Sequence, residues 1–129
     1  MKSLSPNRIA QILAVAFVLP GILGFFPNPV IGPDGLFAAN TAHNLVHLVT
    51  AALFLFMSTQ SASAARRFTQ VFGVIYLLVG VMGFLVLGGS EEGMLLGVVH
   101  INQLDNFLHI GLGVLICVAG FAFPKAPAS

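Results

Sequence analysis

Apolar residues run through the chain in four long stretches, at 9–26, 36–57, 68–87 and about 102–123, with short polar segments between them. Each stretch approaches the roughly 20 residues that a helix needs to cross about 30 Å of hydrocarbon. The runs are continuous, without alternation at every second position, so the pattern predicts helices and not barrel strands. Pro27, Asn28 and Pro29 close the first stretch, and Pro20 inside it is expected to kink that helix. Glu91 and Glu92 follow Gly88 and Gly89 in a turn and read as solvated. Segment 94–101 is apolar but precedes the polar positions of the fourth stretch. It is expected either to extend that helix or to lie along the membrane interface. The fold class predicted is all-α, a four-helix transmembrane bundle forming one domain over 1–129.

Composition strengthens this reading. Hydrophobic residues make up 57% of the chain and charged residues 7%, against roughly 45–50% and about 25% in soluble domains. So few charges cannot clothe a soluble domain, and the implied partner of most of the surface is the lipid bilayer. A net charge of +1 leaves no basic patch for nucleic acid. No protein partner is indicated, and a homo-oligomer stays open. Cys117 is the only cysteine, so no internal disulfide forms, and it reads as a small buried hydrophobe. The first stretch follows Lys2 and Arg8 in the manner of a signal peptide, but no small-residue cleavage site follows, so a retained span is expected. Lys2, Arg8, Arg66, Arg67 and Lys125 all fall on one side of the four-span scheme, while Asp34, Glu91 and Glu92 fall on the other. The positive-inside rule then puts both termini and the central loop in the cytoplasm, for a protein of the bacterial plasma (inner) membrane.

The two halves of the chain also resemble each other. An offset of 59 lays Arg8 on Arg67, Gln11 on Gln70, Val15 on Val74, Gly21 on Gly80, Gly24 on Gly83 and Phe25 on Phe84. With three extra residues in the second outer loop, the offset becomes 62. Gly35 then meets Gly97, Asn40 meets Asn102, Asn44 meets Asn106 and His47 meets His109. These ten pairs fall within 33 aligned positions, where squared residue frequencies give about three. The expectation is a duplicated two-helix unit, repeat 1 at about 8–57 and repeat 2 at about 67–123. Both repeats enter the membrane in the same direction, as parallel repeats about an axis along the membrane normal. Gly21, Gly24, Gly80 and Gly83 recur as G-x-x-G and are expected to let helices pack closely.

The chemistry lies where the repeats match. At 100° per residue, Asn40, His43, Asn44 and His47 share one face of the second span, within about a 100° arc. Asn102, Asp105, Asn106 and His109 repeat that spacing on the fourth span, Asp105 standing where the first half has His43. Both stripes begin near the outer surface and run inward, where ionisable groups are costly and turn toward the bundle interior. One turn further in, Ala51 and Gly113 are small enough to bring spans two and four together. An ionised carboxylate near hydrocarbon needs a partner, and the repeat sets His43 opposite Asp105 as that partner. His100 has no polar counterpart, since Ala38 occupies the matching position, and reads as an interfacial or loop residue.

Three readings of the stripe stand open. The amides and imidazoles can hydrogen-bond across the helix pair and act only as polar glue. Alternatively, His43, His47 and His109, with Asp105, can ligate a transition metal, or His47 and His109 can be axial ligands of a haem. In the third reading, Asp105 and the histidines relay protons or a small solute, in a transporter or an accessory subunit of a larger complex. No nucleotide-binding, hydrolase or kinase motif is present, which favours a non-enzymatic protein whose cluster is structural or binds a small ligand.

On Gly24-Phe25-Phe26-Pro27, Asn40-x-x-His43-Asn44-x-x-His47 and Asp105-Asn106-x-x-His109, the chain resembles a family of small four-helix bacterial membrane proteins catalogued as a domain of unknown function. The resemblance covers roughly 9–121. It implies a multi-pass plasma-membrane protein and brings no reaction, ligand or catalytic residue with it.

Overall fold

The structure of the protein is a computed structural model that describes residues 4–122. Lys2, Lys125 and Phe123, the last position of the fourth predicted stretch, lie outside the described residues. Four helices carry the fold: α1 (Pro6–Leu23), α2 (Thr41–Ser58), α3 (Ala62–Leu87) and α4 (Gln103–Phe121). They have 18, 18, 26 and 19 residues and are long and apolar enough to cross a membrane. The protein is thus an all-α four-helix bundle embedded in a membrane.

Each helix starts where the sequence supplies a cap. The side chains of Ser5, Asn40, Ser61 and Asn102 accept from the amides of Arg8, His43, Ala64 and Asp105, at 3.1, 3.0, 3.1 and 2.9 Å. Pro6 takes the first helical position of α1, where a missing N–H costs nothing. The helix then runs through Pro20 and ends three residues later, at Leu23. There the Asn28 side chain gathers the chain, donating to the Leu23 and Ile31 carbonyls and accepting from the Ile31 amide. Helix α3 begins well before the apolar run at 68, because the alanines and arginines after Ser61 are good helix formers.

One end of the bundle carries two small sheets. Strands β1 (Ile31–Gly32) and β2 (Phe37–Ala38) pair in parallel, and β3 (Glu92–Leu95) and β4 (Val99–Asn102) pair antiparallel. Segment 94–101 is therefore not an extension of α4 but the greater part of a hairpin. It turns through Leu96 and Gly97, at φ 54° and 72°, and buries Leu95 and Ile101 with Leu87. Positive φ at both central positions favours Asn-Gly over Leu-Gly, and Leu96 is 79% exposed. Leu96→Asn is therefore expected to stabilise the protein by up to about 1 kcal/mol, since Asn tolerates the left-handed region better than Leu, read as a raised Tm in detergent; an unchanged or lower Tm would show that the turn carries no strain.

Helix α1 packs along α2, and α3 along α4. Gly21 seats Leu48 and Gly80 seats Ile110, the close packing expected of G-x-x-G. Ala51 and Gly113 do not join α2 to α4, as the sequence had indicated. Gly113 receives Leu77 of α3, and Ala51 lies in the core with Phe17 and Phe54. Gly113 thus tightens the α3/α4 pair, and Ala51 belongs to the core that all four helices share. At the end opposite the sheets, Asn7 donates to the Ser58 carbonyl at 2.9 Å, and Arg66 and Gln70 donate to the Gly120 carbonyl at 3.0 and 2.9 Å. These bonds occupy helix-end carbonyls that have no intrahelical partner.

Candidate metal centre

The polar stripe divides into three layers. Its outermost members, Asn40 and Asn102, are the caps of α2 and α4. Their remaining amide hydrogens cross between the two loops. Asn40 Nδ2 donates to the Val98 carbonyl at 2.9 Å, and Asn102 Nδ2 donates to the Leu36 carbonyl at 3.0 Å. The reciprocal bonds clamp each loop to the helix of the other pair. Asp105 completes a capping box, its carboxylate accepting from the Asn102 amide at 3.0 Å. Among the described residues no ion pair joins Asp105 to His43, so the expected Asp–His pair is corrected. Asp105 is drawn to the helix start by the free N–H groups there.

The second layer is Asn44 and Asn106, which are 2% and 0% exposed. Their Oδ1 atoms have no hydrogen-bond partner. Each oxygen occupies the place where a Cβ would stand on a glycine of the neighbouring helix, Gly24 for Asn44 and Gly83 for Asn106. A carbonyl oxygen set against a glycine Cα makes a weak C–H···O contact, and only glycine leaves room for it. The second glycine of each G-x-x-G is therefore part of the polar layer.

The histidines form the third group, with His43 beside Asn44 and with His47 and His109 deepest. His43 and His109 are buried, at 2% and 5% exposed. His43 lies 4.6 Å from His47 and 5.7 Å from His109 between ring centroids. The three residues offer ring nitrogens that all lie within 4.8 Å of one another. His43 Nδ1 sits 2.7 Å from the His100 carbonyl. A carbonyl only accepts, so Nδ1 carries the proton and Nε2 keeps its lone pair free. A backbone carbonyl holding the far nitrogen of a histidine is the usual support behind a metal ligand. The Nδ1 atoms of His47 and His109 are buried without a partner. His47 faces Phe17 at 6.1 Å, and His109 meets Tyr76 edge-on at 4.9 Å.

A cavity of about 80 Å³ adjoins these rings, bordered by His43, His47, His109, Asp105 and Tyr76. Tetrahedral zinc–imidazole bonds of about 2.0–2.1 Å place ligand nitrogens roughly 3.3 Å apart, so modest side-chain rotations would close the triad on one ion. Asp105 borders the cavity but lies outside the triad. Of the eight stripe residues, three converge as potential ligands and five cap, clamp or pack. Sequence reasoning passed over Tyr76 and the His100 carbonyl. The 59-residue offset lays Phe17 on Tyr76 and so pointed to an aromatic behind each inner histidine. No sequence signal marks a backbone carbonyl. His100 itself, expected as an interfacial or loop residue, lies in β4 between α3 and α4, with Nε2 3.6 Å from Glu92.

No curated protein and no solved structure matches the chain. The family model described as domain of unknown function DUF4383 matches residues 7–122, which takes in all four helices and every residue of the histidine centre. The chain belongs to the DUF4383 family.

Proposed function

We propose that this protein binds a transition-metal ion within the bacterial plasma (inner) membrane, with His43, His47 and His109 as its ligands and Asp105 as the neighbouring counter-charge. The observation that carries the reading is the convergence of three imidazoles within 4.8 Å beside a cavity, two of them with buried nitrogens that bond to nothing. Polar glue would pair those nitrogens, since an unpaired buried polar atom costs about 1–3 kcal/mol. Neutral imidazoles with no thiolate suit zinc, copper or iron. A cavity of about 80 Å³ is too small for a haem macrocycle and so favours a single ion over a haem. A buried cation needs a compensating charge, and Asp105 is the carboxylate at hand.

The two helix pairs are read as a duplication. Supporting this, Asn44 on Gly24 repeats as Asn106 on Gly83, Leu48 on Gly21 as Ile110 on Gly80, and Asn40 on Val98 as Asn102 on Leu36. The basic residues support an orientation with the sheet-bearing end outside and both termini in the cytoplasm.

Elemental analysis of the protein purified in detergent is expected to give one zinc, copper or iron per chain, with X-ray absorption reporting nitrogen ligands. Asp105→Asn is expected to keep the ligands but weaken retention about 10–100-fold, the scale of lost outer partners. A chain that retains no metal and takes up none of the three on titration would end the proposal.

A further inference from the structure

The bundle has two seams between its helix pairs, and they are closed differently. At the α2/α3 seam Phe54 meets Phe68 and Phe72, with ring centroids 4.9 and 5.0 Å apart. The offsets of 59 and 62 map this trio onto Ile9, Leu13 and Ile116 at the α1/α4 seam. Smaller side chains there leave α1 and α4 nearly out of contact, and the cavity lies in that gap. Its walls are Leu13, Ala16, Pro20, Leu108, Leu112 and Ile116, and its far end is the histidine cluster with Tyr76 and Asp105. Ala16 and Leu108 are exposed at the rim, on the flanks of two membrane-spanning helices. Ile31, Phe37, Ala38 and Ala39, in and beside the first sheet, complete the lining toward the outer end, and between Ala16 and Leu108 the gap faces the hydrocarbon side of the two spans.

We infer that this gap is a lateral port through which a small apolar molecule, of the size of a diatomic gas, passes from the bilayer to the histidine cluster. Size sets the class. An engineered cavity of about 150 Å³ holds benzene or xenon, and at about 80 Å³ this one excludes rings and lipid chains but admits a gas. The walls set it too, since aliphatic side chains offer no hydrogen bond to a polar solute crossing them. Three histidine ligands leave a metal with an open position, as in zinc sites with three protein ligands, and a gas arriving from the port would meet it. That endpoint rests on the metal reading proposed above; the port itself does not.

Xenon and carbon monoxide test the two parts separately. Xenon-129 NMR of the detergent-solubilised protein is expected to show saturable xenon binding. Leu13→Phe, which copies onto α1 the aromatic that Phe72 supplies at the other seam, is expected to abolish it while helicity and metal content stay unchanged. In the copper(I)-loaded protein, carbon monoxide should give a copper-carbonyl infrared band, and Leu13→Phe should slow its appearance at least about tenfold. If Leu13→Phe fails to fold, Ala16→Leu at the rim serves as the plug. No xenon binding in the wild type, or equal xenon binding in a folded plug variant, overturns the port. Xenon binding blocked by the plug in a chain that holds no copper supports the port and overturns only the metal endpoint.

Discussion

Gly83→Ala is expected to destabilise the bundle by about 3 kcal/mol or more, and Gly24→Ala to do the same. A methyl at either position would occupy the space already taken by Asn106 Oδ1 or Asn44 Oδ1. Overpacking in a close-packed interior costs about 1–3 kcal/mol, occasionally more. Here the displaced group is a buried amide, which must then find a new partner or remain unsatisfied. Forcing α3 away from α4 would also move His109, one turn along from Asn106, so metal should be lost with stability. Thermal unfolding in a mild detergent measures the first effect and elemental analysis the second. The contact is isolated by a double variant, because coupled neighbours are non-additive. Asn106→Ala removes the colliding oxygen, so Gly83→Ala should cost far less in that background. An equal cost in both backgrounds would show that the collision is not the cause.

The second large effect is expected at the histidines. His109→Ala should lower metal affinity by well over the about 10–100-fold typical of losing an outer partner, since it removes one of the three histidines that converge among the described residues. The fold should survive, because the helix caps and the glycine contacts do not depend on the imidazole, and Tyr76 keeps its packing on Phe17 and Phe72. His47→Ala should behave alike. His43→Ala should also free the His100 carbonyl, so it combines ligand loss with loosening of β4. His100→Ala should leave metal retention nearly intact, because the support comes from its backbone carbonyl. Competition with a chelator of known affinity orders the four variants. A His100→Ala variant as defective as His109→Ala would contradict the assigned ligand set.

The four spans were legible because lipid as a solvent acts on each segment separately. A stretch such as 68–87 must be apolar and helical whatever it packs against. The Asn and His positions were legible for a related reason: polar groups at that depth are costly enough to mark a shared interior face on their own. Even Asn40 and Asn102 as caps follow from a local rule, Asn standing just before a helix and bonding the amide three residues on.

What the local pattern could not specify was which groups would meet. Segment 94–101 is as apolar as a helix end, yet the turn at Leu96 and Gly97 folds it back as a hairpin onto Leu87. Asp105 was set opposite His43 by the repeat, but its own helix start offered nearer donors and took the carboxylate. Ala51 and Gly113 are small in the sequence, but only the packed bundle decides that Gly113 seats Leu77 of its own pair while Ala51 enters the common core. Membrane span and face follow from the amino-acid sequence alone, because the water-to-lipid transfer of a side chain depends on that side chain. Convergence of His43, His47 and His109, the glycine cradles and the open α1/α4 seam belong to the tertiary structure, because they depend on distances between helices that no single segment encodes.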